Sequence, residues 1–125
     1  MSNLLSPHFQ LEEFRCKCGC RQVIVVPELI QTLEAIREYA GFPVVITSGF
    51  RCPDQNAAAG GSADSAHLRG EAADISISSS HRRFKFIEAA IMAGVSRIGV
   101  GDTFLHIDVS KRLPQEVIWG YWRKS

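Results

Sequence analysis

No stretch of this chain is both apolar and long enough to cross a bilayer. Its longest hydrophobic runs, Val23–Val26 and the segment from Ile87 to Val95, fall far short of the roughly 20 residues a spanning helix needs. Charge of one sign is also missing. Fourteen Lys and Arg against thirteen Asp and Glu leave a formal net charge of +1, so nothing in the balance draws the chain to nucleic acid or an anionic membrane. Repeats, low-complexity segments and Pro- or Gly-rich linkers are lacking too, which leaves one domain over residues 1–125. The opening Met1-Ser2-Asn3-Leu4-Leu5-Ser6-Pro7 has neither a basic leader nor an apolar core, so no signal peptide is visible. The expectation is synthesis in the cytoplasm, or processing before this numbering begins.

Cysteine is sparse: Cys16, Cys18 and Cys20 form a knot in a Cys-Gly segment, and Cys52 stands alone. Three readings are open. The four are reduced packing residues, or the knot makes a disulfide to Cys52 in an oxidising compartment, or they hold a second, structural zinc. Structural zinc sites usually space paired ligands by two to four residues, and Cys-x-Cys-x-Cys is tighter than that.

The periodicities describe an α+β domain. Residues 1–22 read as an irregular arm with one helical turn at Leu11-Glu12-Glu13-Phe14. Pro27 opens a helix with Leu29, Ile30, Leu33 and Ile36 at helical spacing, and Gly41 follows its end. Pro43-Val44-Val45-Ile46-Thr47 reads as a buried strand, Arg51–Asp64 as a loop with one short helix, and Gly70–Ile77 as a second strand. Ser80 caps a helix to Ala93 with Phe84, Ile87, Ala90 and Ile91 inward, ended by Gly94. Residues 97–100 and 104–109 form a hairpin around Gly101-Asp102-Thr103. The tail with Trp119, Tyr121 and Trp122 covers a sheet edge.

Against this background, Ser65-Ala66-His67-Leu68-Arg69-Gly70-Glu71-Ala72-Ala73-Asp74 and the later Phe104-Leu105-His106-Ile107-Asp108 carry the chemistry. Two imidazoles and a carboxylate, from His67, Asp74 and His106, suffice for one zinc ion. Catalytic zinc keeps three protein ligands and leaves the fourth position to water, whose pKa falls toward about 7. Gly70 lets the backbone turn so that His67 and Asp74 face one point. His106 alternates with Phe104 and Asp108 on one strand face, opposite Leu105, Ile107 and Val109. Asp108 is then placed to fix an imidazole tautomer or to anchor a neighbouring loop. Asp102, at the hairpin tip, is the candidate general base. Arg51, directly after the first strand, is placed to clamp a carboxylate or an oxyanion, and Ser65 to touch substrate or orient its loop. His8 and His81 lack comparable context and read as surface residues.

These residues carry a resemblance. Phe9-Gln10-Leu11-Glu12-Glu13-Phe14, Ile46-Thr47-Ser48-Gly49-Phe50-Arg51, Asn56-Ala57-Ala58-Ala59-Gly60-Gly61, the Ser65–Asp74 motif and Phe104-Leu105-His106-Ile107-Asp108-Val109 follow in the order of a known family's blocks. The chain resembles short, single-domain members of the D-Ala-D-Ala carboxypeptidase and L-alanyl-D-glutamate peptidase family, within the superfamily shared with lysostaphin and the amino-terminal domain of hedgehog proteins. The resemblance implies a small antiparallel sheet with the metal on one face and helices on the other. It makes His67, Asp74 and His106 zinc ligands, Arg51 the substrate-binding arginine and Ser65 a pocket residue. It implies a zinc peptidase acting on peptidoglycan stem or cross-bridge peptides, with action on the cell wall after release, as for a phage or prophage product. One departure stands out. Many relatives carry the catalytic acid three residues before the last His, or a His two before it. Those positions hold Thr103 and Phe104, and Asp102 is the nearest acid. The alternative is a non-catalytic zinc-containing module that binds peptidoglycan or builds a phage particle.

Overall fold

The computed structural model describes residues 4–121, so Trp122 lies outside the described residues. Helix α1 (Pro27–Ala40) starts with Pro27 in its first turn and ends at Gly41, whose φ of 78° lets its N–H close on the Arg37 carbonyl at 3.0 Å. Its stripe of Leu29, Ile30, Leu33 and Ile36 is buried. It packs on α3 (Ser80–Met92), which Ser79 rather than Ser80 caps.

The inward face of α3 differs from the sequence expectation. Phe86, Ala89 and Ala90 are buried, whereas Phe84 and Ile91 are 66% and 60% exposed and Ile87 is half-buried. Phe84 and Phe86 sit about 200° apart around a helix, so only one of them faces the core. The structure buries Phe86, in one stripe with Ala89 and Ala90 at helical spacing.

Among the described residues, five strands form the main sheet in the order β3 (Ile46–Ser48), β4 (Ala72–Ser76), β6 (Phe104–Asp108), β5 (Arg97–Val100), β7 (Val117–Gly120). Strand β3 is shorter than expected and starts only at Ile46; Pro43 has no N–H to donate to a ladder. The β5–β6 hairpin forms as anticipated, Ile98 opposite Ile107 and Val100 opposite Leu105. The sheet is mixed, which corrects the expectation of a purely antiparallel one. β7 returns along β5 in parallel, Gly99 beside Trp119, because β6 runs back antiparallel to β5 and residues 109–116 then turn the chain again, so that Val117 pairs with Arg97.

Period-two alternation separates the two faces. Ala73, Ile75, Leu105, Ile107 and Ile98 join the α1 and α3 stripes in one core, while Asp74, His106 and Asp108 face away from it. Each fully buried Leu or Ile contributes roughly 1.5–3 kcal/mol to that core.

The arm is more ordered than its sequence suggests. Leu4–Ser6 and Phe9–Gln10 pair antiparallel as β1 and β2, a 3-10 turn follows at Leu11–Phe14, and Phe9 and Phe14 are fully buried in the main core. Phe14 also accepts a hydrogen bond from the Phe50 N–H at 2.9 Å, which fixes the arm against the end of β3. The four cysteines are unbridged, two buried and two exposed. Among the described residues no helix is long and apolar enough to cross a membrane.

Candidate metal centre

His67 lies in a 3-10 turn (Ala66–Arg69) that Ser65 caps, its hydroxyl accepting from the His67 N–H at 3.2 Å. That contact gives Ser65 an orienting role in the loop, and Ser65 also lines the cavity described below. Gly70 ends the turn at φ 70° and reverses the chain into β4, where Asp74 stands directly opposite His106 of β6. One local turn and one antiparallel register thus bring the three residues together.

All three are buried, and one potential ligand atom from each lies within 4.8 Å of the others. The outer nitrogens define the inner ones. His67 Nδ1 is 2.6 Å from the Gly49 carbonyl oxygen, which can only accept, so this nitrogen carries the proton and Nε2 turns its lone pair inward. His106 Nε2 is 2.8 Å from Asp108 Oδ2, which leaves Nδ1 facing inward. Asp74 Oδ1 then lies 3.3 Å from His67 Nε2 and 2.9 Å from His106 Nδ1. With neutral imidazoles, three acceptors converge on one point, an arrangement that a cation satisfies. Two nitrogens and one carboxylate oxygen suit zinc.

Electrostatics around the cluster favours ionised carboxylates. Burial pushes the Asp74 carboxyl up, but hydrogen bonds from His106 and His67, made when their inner nitrogens carry protons in place of a cation, outweigh it and hold it well below the usual range. Burial disfavours the charged form of His106; the hydrogen bonds to Asp108 and Asp74 prevail and raise its pKa. Burial pushes Asp108 up, but His106 and Arg97, whose Nε donates to Oδ1 at 2.7 Å, outweigh it and lower its pKa. The Ser110 N–H donates to the same oxygen at 3.2 Å.

Asp108 is thus a braced acceptor for His106. Asp108→Ala is expected to lower metal affinity by roughly 10–100-fold, the usual cost of losing such a partner, and competition with a chromogenic chelator measures it. An unchanged affinity would remove the positioning role.

Arg51 sits where β3 runs out and donates from Nη2 to Asp74 Oδ2 at 2.9 Å and from Nε to Ser48 Oγ at 3.1 Å. It also lines a cavity of about 470 Å³ over the three candidate ligands. The opposite wall holds Arg97, Phe104, Trp119 and Tyr121. Trp119 lies 5.4 Å from the His106 ring, with the Arg97 guanidinium 4.9 Å over its indole. A Cβ on Gly99 would come within 2.8 Å of that indole, so the bare strand there makes room for it.

Asp102 is exposed on the β5–β6 turn and is not among the residues that line the cavity. The turn is held instead from Arg83, whose Nη2 donates to the Gly101 carbonyl at 2.7 Å. His81 is exposed, and His8 pairs at the surface with Glu34 at 2.7 Å. The cavity roles of Trp119, Tyr121 and Arg97 were not foreseen. A Trp-x-Tyr alternation placing both rings on one strand face was the available signal.

No curated protein matches the chain. The family model for Peptidase M15 matches residues 7–108, a span that takes in Arg51, all three candidate ligands and Asp108. That match covers more than half of the chain, and the chain belongs to the Peptidase M15 family.

Proposed function

We propose that this chain is a zinc metallopeptidase that hydrolyses an amide bond in peptidoglycan stem or cross-bridge peptides. The observation that carries the reading is the convergence of His67 Nε2, Asp74 Oδ1 and His106 Nδ1 at the floor of an open cavity. His67, Asp74 and His106 would hold a zinc ion, which when bound would supply Lewis acidity toward the scissile carbonyl and toward a water molecule.

The chain's own groups do the rest. The Gly49 carbonyl and Asp108 hold the two imidazoles in the tautomers that leave their inner nitrogens free. Arg51 steadies the outer oxygen of Asp74 and offers positive charge at the cavity wall, where a substrate carboxylate or developing oxyanion would sit. Burial raises the Tyr121 phenol, so it stays a hydrogen-bond donor at neutral pH. Trp119 and Tyr121 give the cavity an apolar wall for a peptide side chain or methyl group.

Asp102 enters as a proton shuttle only if its turn folds toward the cavity when substrate binds. Its position outside the cavity lining favours the second reading, a non-catalytic zinc-containing module that binds peptidoglycan or serves in a phage particle.

One experiment separates them: zinc-loaded protein is incubated with peptidoglycan and defined stem peptides, and products are read by mass spectrometry. A new fragment that disappears on chelation and returns with zinc is the expected result, and it names the bond cut. Intact peptides after incubation with folded, fully metallated protein would leave the binding module.

A further inference from the structure

The second cluster of metal-ligating side chains lies away from the cavity, where the arm meets the start of α2 (Pro53–Ala58). Four sulfur atoms, from Cys16, Cys18, Cys20 and Cys52, all lie within 4.8 Å of one another. Cys16 Sγ to Cys18 Sγ is 3.5 Å, and Cys18 Sγ to Cys52 Sγ is 3.5 Å. A disulfide needs sulfurs about 2.05 Å apart. Around a tetrahedral ion with bonds of about 2.3 Å, sulfurs stand about 3.8 Å apart. The observed spacing fits the ion.

Connectivity points the same way. Any pairing of all four cysteines into two bridges joins Cys52 to one member of the knot and forces the other two together. In two of the three pairings those two are separated by a single residue, a ring strained for ordinary disulfide geometry. A single ion takes all four without that constraint.

The backbone is also arranged for sulfur acceptors. The Cys52 N–H donates to Cys16 Sγ at 3.4 Å, and the Gln55 N–H, in the first turn of α2, donates to Cys52 Sγ at 3.5 Å. Such bonds favour the thiolate, the form that binds metal. Two left-handed residues, Gly19 at φ 92° and Arg21 at φ 64°, turn the knot tightly around Cys20.

From this we infer that Cys16, Cys18, Cys20 and Cys52 form a structural site for one thiophilic divalent cation, zinc being the expected occupant. The site is closed, with four protein ligands and no place for substrate. Its role is to clamp the arm onto the segment between β3 and α2. That segment contributes the Gly49 carbonyl to His67 and the Arg51 guanidinium to Asp74, so the clamp braces the catalytic cluster from behind. The inference stands whether or not the His/Asp/His centre is a peptidase.

The test is metal analysis of the full chain purified with a non-chelating reductant, together with cobalt substitution. Wild-type protein is expected to hold two zinc ions, and Cys18→Ser/Cys20→Ser and His67→Ala to hold one each. Both replaced cysteines are exposed, so the double variant is expected to fold, which circular dichroism checks. Thiolate-to-cobalt charge-transfer bands should persist in His67→Ala and vanish in the double cysteine variant. One ion in the wild type that is lost in His67→Ala, with four thiols alkylated as fast as in unfolded protein, would overturn the site.

Discussion

Alanine at His67 is expected to empty the His/Asp/His centre and to lower peptide hydrolysis by more than the roughly 100-fold that loss of a supporting partner costs. The argument is one of ligand count. A catalytic zinc site retains three protein ligands, and among the described residues His67 supplies one of the two imidazole nitrogens that meet Asp74 Oδ1. Removing it leaves a carboxylate and one imidazole, too few to compete with solvent. The change also orphans the Gly49 carbonyl, which His67 Nδ1 meets at 2.6 Å in a buried setting. That costs about 1–3 kcal/mol, small enough for the fold to survive. Metal content, turnover and thermal unfolding should therefore separate: the first two collapse and the third shifts moderately. His81→Ala, at an exposed position, is expected to change none of them. A His67→Ala protein that keeps a full complement of metal at this centre and its turnover would disqualify His67 as a ligand.

The candidate ligands were legible in the sequence because their placement depends on short-range rules. A glycine in the left-handed region joins His67 to Asp74 across six intervening residues, and strand alternation puts His106 on the face opposite Leu105 and Ile107. Helix α1 was legible for the same reason, with its Pro start, Gly end and apolar stripe all local. What escaped depends on contacts between distant segments. The parallel return of β7 beside β5 has no local signature, so the Trp119 and Tyr121 wall was reduced to an edge cover. In α3, Phe84 and Phe86 are equally apolar, and only packing against α1 and the sheet selects Phe86. The arm read as irregular because its burial rests on two phenylalanines whose partners lie in the main core. Asp102 is a candidate by chemical type and nearness in sequence to His106, and whether it serves as the base is a question of geometry that its exposed place on the turn leaves to experiment.

Gly70→Ala is expected to lower stability strongly, and it tests how the ligand turn is held. At φ 70° a residue with a Cβ pays about 1–2 kcal/mol for the left-handed conformation. The added carbon would also stand 2.3 Å from the Ile24 carbonyl oxygen and 2.5 Å from its carbon. Those are backbone atoms, and the Val26 N–H is bonded to the Gly70 carbonyl at 3.0 Å, so neither segment yields without breaking that contact. Relief of such overpacking typically costs a further 1–3 kcal/mol. The total of about 2–5 kcal/mol is a large share of the 5–15 kcal/mol that holds a domain together, and a fall in Tm of roughly 10 °C or more is expected. Gly94 is the control. Its φ is 89°, yet a Cβ there would meet nothing within 4 Å, so Gly94→Ala pays the conformational cost alone. The gap between the two variants isolates the clash with Ile24. Because Gly70 joins the His67 turn to the Asp74 strand, Gly70→Ala should also weaken metal binding at that centre, while Gly94→Ala leaves it unchanged. Equal Tm losses in the two variants, with equal metal affinity, would mean that the turn is not held against the Ile24 backbone in solution.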